Sequence, residues 1–410
     1  MIKKSSLVLI AVLALMVSNN TVHAQNTEYL TTLESYNLIH LPEVQKMGLD
    51  GDGQTVVVID TSAQINHEYL NGIFIDGNCT SQVSCGNDFL VPGFPSGKSH
   101  SGYGDHGSMV SGIISGQANS GAPGGIAPKT RIISIDNTDG NATGLILAMN
   151  WILEIQKKYN VVAVSASIGG ENSSLFRGHE GTCSLDPMLS NKIEELISKG
   201  VSMVFAAGNE GNFNKLNYPA CLPEVISVGA LTSAGNIKSY SNVAKSITVM
   251  APADVMSANG NSGYFLGGGT SAATPVVAGV IALLKQAKPD ATPQEIKRAL
   301  QTTRTRISDV LWKNIPVLDV YQAVQAIKTN KFDSSEILST ASQVATPSPA
   351  PTVTVTATPS PAPTVTVTAT PSPAPTVTVT ATPSPAPTVT VTATPSPAPT
   401  VTVTATPSPA

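Results

Sequence analysis

Short, predominantly apolar runs rich in β-branched residues alternate along this chain with longer segments of helical periodicity. The apolar runs are Thr55–Ile59, Arg131–Ile135, Val161–Ser165, Val201–Ala206, Val225–Val228 and Ile247–Met250. The helical segments are Thr143–Tyr159, Pro187–Lys199, Ser271–Gln286, Pro293–Gln301 and Asp319–Ile327. Apolar runs without polar alternation are typical of strands covered on both faces. The succession predicts an α/β fold, a doubly wound, mostly parallel sheet with helices on both faces.

The charge and length of the chain restrict what its folded part can be. Residues 25–344 carry 21 basic and 27 acidic side chains and all 33 glycines of the 410-residue chain. This net negative segment supplies no basic surface for nucleic acid. It is long enough to bury a large core. We therefore predict a folded domain over residues 25–330, followed by a linker over 331–344.

The first 24 residues have the layout of a secretory signal peptide. Lys3 and Lys4 precede the apolar run Leu7–Val17, and small residues end the segment at Ala24. The alternative is a membrane anchor, but about 11 apolar residues fall short of the roughly 20 that span a bilayer. We predict cleavage after Ala24, a secreted or extracytoplasmic protein, and no membrane span once the signal is removed.

Four cysteines, Cys79, Cys85, Cys183 and Cys221, follow the predicted signal. None of them forms a CxxC pair, so neither a zinc ribbon nor a redox motif is indicated. In an exported protein two disulfides are expected, since the compartment is oxidising. Three pairings are open, of which we favour 79–85 with 183–221; the alternative is four free thiols.

The end of the chain is one twelve-residue sequence, PTVTVTATPSPA, repeated five times over residues 351–410. Residues 345–410 contain no charged residue, glycine, aromatic residue or cysteine, but they hold 17 of the 30 prolines. Such a composition cannot bury enough apolar surface to offset the entropy lost on ordering. We predict a disordered, polyproline-like spacer, open to O-glycosylation and to cell-surface association. Stacked β-structure, which the Thr-Val alternation suggests, is opposed by the prolines.

Two candidate reactive side chains stand at the edges of predicted elements. Asp60 follows the run Val56–Ile59, where ligands of a parallel sheet bind. Alone, it would be interpreted as an aspartate that caps a turn. His106 opens the small-residue segment 106–112, which suits a helix pressed against neighbouring backbone. A lone histidine is usually structural, but this position favours a base that approaches a partner closely.

Two further candidates follow glycines. Ser271 comes after Gly267–Gly269 at the start of a helix, where its hydroxyl and backbone N–H meet the positive end of the helix dipole. We expect Pro275 to lie in the first turn, where its missing N–H costs nothing. Asn209 directly follows a predicted strand, and its amide could donate to an anion. The structural alternatives are an N-cap serine and a loop asparagine in a left-handed conformation.

Together these segments resemble the subtilisin-like serine peptidases, or subtilases, over roughly Leu41 to Ala326. The matching motifs are Val58–Ser62, His106–Gly112, Ser167–Gly170, Ala207–Asn209 and Gly269–Pro275. The chain order Asp, His, Ser is that of the subtilisin triad. An α/β-hydrolase would need a histidine after its nucleophile, and the last histidine here is His179. The helices contradict an all-β, chymotrypsin-like fold.

The resemblance implies a secreted serine endopeptidase in which Ser271 is the nucleophile, His106 the general base and Asp60 the group that orients the histidine. Asn209 and the Ser271 backbone N–H would hold the oxyanion. It also implies that protein or peptide substrates bind along Ser167, Ile168, Gly169 and Gly170, and that Ala206, Ala207 and Gly208 complete the pocket for the residue before the cut. These pocket walls carry no charge, which predicts a preference for apolar or aromatic residues there.

The sequence departs from the family pattern in several ways. Ser62 stands where a glycine is usual, in the turn after Asp60. Only 35 residues separate Gln25 from Asp60, which leaves no room for a long inhibitory propeptide. We expect either folding without one or restraint by another protein. No cofactor is expected for catalysis, and the structural calcium implied by the resemblance has no recognisable loop: Asp50–Gly53 is too short.

Two other functions stay open at the level of sequence. The first is a catalytically inactive subtilase-like domain that binds partners on a surface stalk. The second is a specialised peptidase that cuts one site in one partner protein.

Overall fold

A computed structural model describes residues 27–81, 105–168, 178–183, 185–260, 262–308 and 313–332 of the protein. The predicted signal peptide, the repeat tail, Gly169, Gly170 and Cys85 lie outside these residues. A seven-stranded sheet organises the described part, in the order β2-β3-β1-β4-β6-β8-β9, and all its neighbouring strands pair in parallel. The α/β prediction is therefore confirmed.

The elements follow the periodicity of the sequence closely. The sheet strands are β1 (Thr55–Asp60), β2 (Phe74–Cys79), β3 (Arg131–Asp136), β4 (Val161–Ala166), β6 (Ser202–Ala206), β8 (Ile226–Leu231) and β9 (Val249–Pro252). Three antiparallel pairs join β5 (Gly178–Glu180) with β7 (Lys215–Asn217), β10 (Met256–Ala258) with β11 (Tyr264–Leu266), and β12 (Arg306–Ile307) with β13 (Ile315–Pro316). The helices are α1 (27–38), α2 (Leu41–Gln45), α3 (Asp105–Ser115), α4 (Ala142–Ile155), α5 (Pro187–Ser198), α6 (Gly269–Ala287), α7 (Pro293–Gln301) and α8 (Val320–Thr329), and Glu68–Leu70 forms a short 3₁₀ turn.

Strand β1 shows why the sheet needs helices on both sides. Val56 and Val58 belong to one hydrophobic cluster, whereas Val57 and Ile59 belong to a second cluster on the opposite face. Helices α3 and α6 contribute to the first cluster, and α4 and α5 contribute to the second. Since successive side chains of a strand point to opposite faces, an all-apolar strand must be covered twice.

Strand β2 was not predicted from the sequence, and Pro275 lies elsewhere in its helix than expected. Strand β2 reads FIDGNC and lacks the apolar β-branched run of the inner strands, because it lies at the edge of the sheet beside β3. Pro275 was expected in the first turn, but α6 begins at Gly269 and Pro275 lies inside it. Its missing N–H therefore falls within the regular hydrogen-bonding pattern of the helix.

The structure also bears on cysteines, calcium and membrane spans. Cys183 and Cys221 form the predicted disulfide. Cys79 is disulfide-bonded as well, and its predicted partner lies outside the described residues.

Within the described ranges no group of three His, Cys, Asp or Glu side chains could hold a metal, and Asp50 is paired with Lys129 at 2.8 Å.

Helix α6 is the one described helix long and apolar enough to cross a membrane by length and composition. Seventy-eight per cent of its apolar window is buried inside the protein, as expected for the central helix of a core.

At the end of the described chain, Phe332 packs against the first hydrophobic cluster although the sequence analysis places it in a linker. Its carbonyl accepts a hydrogen bond from the Thr302 hydroxyl at 3.1 Å.

Candidate active site

Asp60 and His106 meet at the carboxyl edge of the sheet. Asp60 is the last residue of β1, and His106 is the second residue of α3. His106 Nδ1 lies 2.6 Å from Asp60 Oδ1, which also accepts a hydrogen bond from the Thr61 N–H at 2.7 Å. The Asp60 side chain is 3% exposed and that of His106 is 36% exposed. The carboxylate is therefore buried and fixed, while the imidazole has a face open to a ligand.

The pair changes the acidity of the imidazole. The negative charge of Asp60 raises the pKa of His106 above its ordinary value, and their hydrogen bond raises it further, whereas burial opposes the rise. A carboxylate on Nδ1 also requires that nitrogen to carry its proton, since a carboxylate only accepts. In the neutral histidine, Nε2 is then the lone-pair nitrogen, and it can accept a proton from another group.

The turn after Asp60 holds the start of α3. A side chain at Gly107 would meet the Thr61 carbonyl oxygen, because a Cβ built there lies only 2.1 Å from it. The Gly107 N–H donates to Thr61 Oγ1 at 3.0 Å. Ser62, which replaces the usual glycine, donates its hydroxyl to the Asp136 carboxylate on the neighbouring strand. The substitution thus adds a hydrogen bond to the turn.

Ser271 is the third residue of α6, which packs against α3. The two N–H groups before it are already used: Gly269 N–H donates to the Tyr240 hydroxyl at 2.9 Å, and Thr270 N–H donates to Asn209 Oδ1 at 2.7 Å. The Ser271 N–H is the next donor in that turn. Ser271 Oγ has no hydrogen-bond partner in the part of the chain that the structure describes, and this includes His106.

Asn209 lies three residues after the end of β6, and hydrogen bonds to its side-chain oxygen fix its orientation. Asn209 Oδ1 accepts from both Thr270 N–H and Thr270 Oγ1, at 2.7 and 3.0 Å. A carboxamide has one oxygen and one NH₂ group, so fixing the oxygen fixes the two remaining donors. Among the described residues Asn209 Nδ2 donates to nothing. The amide donors are therefore available to a ligand beside the first turn of α6.

Four of the seven predicted substrate-binding residues line a small cavity beside Ser271 and Asn209. Its described walls are formed by Ser167, Ile168, Ala206, Gly208, Asn209, Glu210, Asn217, Thr270 and Ser271. Ala207 is fully buried behind them. Gly208 has φ +111°, and a Cβ there would lie 2.2 Å from Asn242 Nδ2. Any larger residue at this position would displace that amide.

Glu210 contradicts the expectation that the pocket walls carry no charge. Its carboxylate accepts hydrogen bonds from Asn242 Nδ2 at 2.6 Å and from Asn217 Nδ2 at 3.2 Å. The sequence did not predict these residues, because Asn217 at the end of the short strand β7 and Asn242 in the loop before β9 belong to no motif. The signal for Glu210 was available, since it directly follows Asn209.

His67, which lies in the segment between β1 and β2, is 1% exposed and uses both ring nitrogens. Nδ1 accepts from the Tyr69 N–H at 3.1 Å, and Nε2 donates to the Gly263 carbonyl at 2.9 Å. Its ring packs edge-on against Tyr264.

Comparison with known proteins matches residues 51–334 of this chain to the family model described as Peptidase_S8, the subtilase family. This match covers well over half of the chain. The chain belongs to the subtilase family. Its relatives include the major intracellular serine protease of Bacillus subtilis strain 168, which is 30% identical over 62% of this chain and 74% of that protein. Subtilisin DY of Bacillus licheniformis is 28% identical over 70% of this chain and 97% of that protein.

The fold of this subtilase also occurs among solved structures. A protease from Pseudoalteromonas arctica PAMC 21717 has a TM-score of 0.59 and 25% identity, and the match covers 70% of this chain and 94% of that one. With the family and these relatives, the chain is a serine endopeptidase that acts on proteins or peptides. Subtilases need no cofactor for catalysis.

Proposed function

We propose that Asp60, His106 and Ser271 form the catalytic triad of this peptidase. The single observation that carries the proposal is the 2.6 Å contact between Asp60 Oδ1 and His106 Nδ1. It leaves His106 Nε2 to take the Ser271 proton as the hydroxyl oxygen attacks the substrate carbonyl. The same nitrogen then returns the proton to the leaving amine, and Asp60 stabilises the imidazolium in between. The Ser271 hydroxyl would form its hydrogen bond to Nε2 when substrate binds, since catalytic hydrogen bonds are often completed only in the complex.

Asn209 and the Ser271 N–H would stabilise the oxyanion that forms on the substrate carbonyl. The engaged oxygen of Asn209 supports this role, since it holds the amide donors before the reaction begins. Donors already in place gain strength where the charge develops, without the cost of reorganisation.

The substrate would extend along Ser167–Gly170 as an added strand, with its residue before the cut in the pocket beside Ala206–Gly208. We propose that apolar or aromatic residues are preferred there. The Glu210 carboxylate is compatible with this preference, since two asparagine amides already donate to its oxygens and it does not depend on a basic substrate side chain for hydrogen bonds.

Secretion is proposed from the layout of residues 1–24 alone, since the relatives of this chain include a protease named as intracellular. The repeat tail would then lie outside the cell and separate the catalytic domain from a surface.

The experiment is cleavage-site profiling on a peptide library by the secreted protein, with Ser271→Ala as the inactive control. The proposal expects cleavage after apolar and aromatic residues, and no cleavage by the control. Cleavage strictly after Arg or Lys would refute the proposed preference. In that case Glu210→Gln should abolish the selectivity for Arg and Lys. Equal cleavage by Ser271→Ala would refute the triad.

The same material separates a general peptidase from a specialised one. Degradation of casein at many sites supports the general peptidase. A single cut in one secreted partner, with casein left intact, identifies a processing peptidase. An inactive binding domain would cut neither.

A further inference from the structure

Pro275 leaves a gap in the hydrogen bonding of the helix that carries Ser271. In an α-helix the carbonyl of residue i accepts from the N–H of residue i+4. For Ser271 that residue is Pro275, which has no N–H, and the proline ring also crowds the carbonyl four residues before it. The Ser271 carbonyl therefore lacks its usual helical donor.

The hydroxyl of Ser167 fills this gap from another element. Ser167 directly follows β4, and its Oγ donates to the Ser271 carbonyl oxygen at 3.0 Å. Ser167 is only partly exposed, and it lies 104 residues from Ser271 in the sequence. A donor from so distant a segment is not required by local structure. The motif that sequence analysis assigned to substrate binding is thus bonded to the peptide group of the proposed nucleophile.

We infer that Ser167 is a positioning residue, which holds the Ser271 peptide group in place of the N–H that Pro275 lacks. The inference rests on the proposed function, in which Ser271 supplies both the nucleophile and an oxyanion donor. Holding the Ser271 carbonyl fixes the turn from which Oγ and the N–H project. Because Ser167 also begins the substrate-binding segment, the bond keeps that segment and the nucleophile in register.

This role differs from contact with the substrate, and the difference can be measured. A substrate contact would change KM as well as kcat, whereas a residue that positions the nucleophile mainly changes kcat. Losing one hydrogen bond to a partly buried carbonyl is expected to reduce kcat about tenfold. The reaction of Ser271 with a small fluorophosphonate should slow by a similar factor, although that reagent does not occupy the substrate strand.

The test is a double-mutant cycle between Ser167 and Pro275. Ser167→Ala removes the hydroxyl, and Pro275→Ala restores the N–H that the helix lacks. We expect Ser167→Ala to lower kcat and the labelling rate about tenfold in the parent chain, but less than about threefold in the Pro275→Ala chain. Ser167→Thr, which keeps the hydroxyl, should retain most of the rate.

Ser165→Ala, two residues earlier on β4, supplies a matched control. Ser165 is fully buried and its hydroxyl has no hydrogen-bond partner in the described chain, so its removal should leave kcat unchanged. Equal losses from Ser167→Ala in both backgrounds, or no loss in either, would overturn the inference. A parent chain that does not react with the fluorophosphonate would instead refute the proposed function, which keeps the two failures distinct. The melting temperature of each variant identifies losses caused by unfolding.

Discussion

His106 and His67 lie in two regions of one molecule and use their ring nitrogens differently. His67 is almost fully buried, and both of its nitrogens are bonded to backbone groups of the 3₁₀ turn and of the loop before β11. His106 is 36% exposed, has one nitrogen on a buried carboxylate, and leaves the other without a partner among the described residues.

Whether all the hydrogen-bonding groups of a side chain are in use distinguishes structural from reactive residues better than burial or residue type does. Around His67 every strong donor and acceptor of the ring is used, which stabilises the fold. At the carboxyl edge of the sheet, the partners of His106, Asn209 and Ser271 orient each group but leave Nε2, Nδ2 and Oγ without a partner in the described chain. A reaction needs donors and acceptors that the folded protein leaves without partners, and leaving them so costs the fold stability.

The largest effect is expected from Asp60→Asn. The asparagine amide can occupy the same space, but it removes the charge and can stabilise the wrong tautomer of His106. We expect kcat to fall on the order of 10⁴-fold, with little change in the free energy of unfolding at pH 8. Steady-state kinetics and urea unfolding measure both. A loss under tenfold would mean that the Asp60–His106 contact is only structural.

Asn209→Asp tests the unused donors directly. The aspartate keeps an oxygen to accept from Thr270, but it replaces the two amide donors with a negatively charged oxygen. We expect kcat to fall about 10²–10³-fold, since the oxyanion loses a donor and meets a like charge. Asn209→Ala is the control, since it removes the same donors without adding a charge. If Asn209→Ala kept most of kcat while Asn209→Asp lost it, added charge alone would explain the result.

His67→Phe should give the opposite pattern. An aromatic ring is kept, although a larger one, but the Tyr69 N–H and the Gly263 carbonyl lose their partner in a buried site. We expect the free energy of unfolding to fall by about 2–4 kcal/mol, with kcat/KM changed only a few-fold. Denaturant titration and kinetics on the folded fraction provide the measurement. A stable but inactive variant would show that His67 takes part in the reaction and does not differ in role from His106.

The smallest effect is the pH dependence of His106. Its folded pKa is raised, chiefly by the charge of Asp60, so the folded protein binds this proton more tightly than the unfolded chain. The resulting stability is complete below about pH 6.5, the unfolded value, and it is lost as pH rises through the folded pKa. The stability difference between the parent and His106→Ala should therefore be larger at pH 5.5 than at pH 8.5. The acid limb of kcat/KM should also lie above pH 6.5 and move down in Asp60→Asn. A flat or reversed difference would contradict the raised pKa.

Much of the fold could be predicted because the inner strands of a doubly covered sheet must be apolar. The runs 55–59, 161–165 and 201–206 are of this kind. Each observed strand differs from its predicted run by at most one residue at either end. Strand β2 escaped because an edge strand has one neighbour and need not be apolar. The position of Pro275 within α6 escaped because the glycines before Ser271 do not fix where the helix begins.

The candidate site likewise divides into residues that the sequence predicts and contacts that only the folded structure shows. Motifs predicted Asp60, His106, Asn209 and Ser271, since each stands beside a strand end or a helix start. The Glu210 network and the bond between Ser167 and Ser271 join residues far apart in the chain. Sequence order alone does not reveal which distant donor meets an orphaned carbonyl, since only the packed fold brings the two together.

The most direct measurement is the site of covalent labelling by a fluorophosphonate on the folded protein, read by peptide mass spectrometry. We expect one adduct, on Ser271, which disappears in Ser271→Ala and is nearly lost in His106→Ala. An unlabelled parent chain, or an adduct on another residue that persists in Ser271→Ala, would show that Ser271 is not the nucleophile.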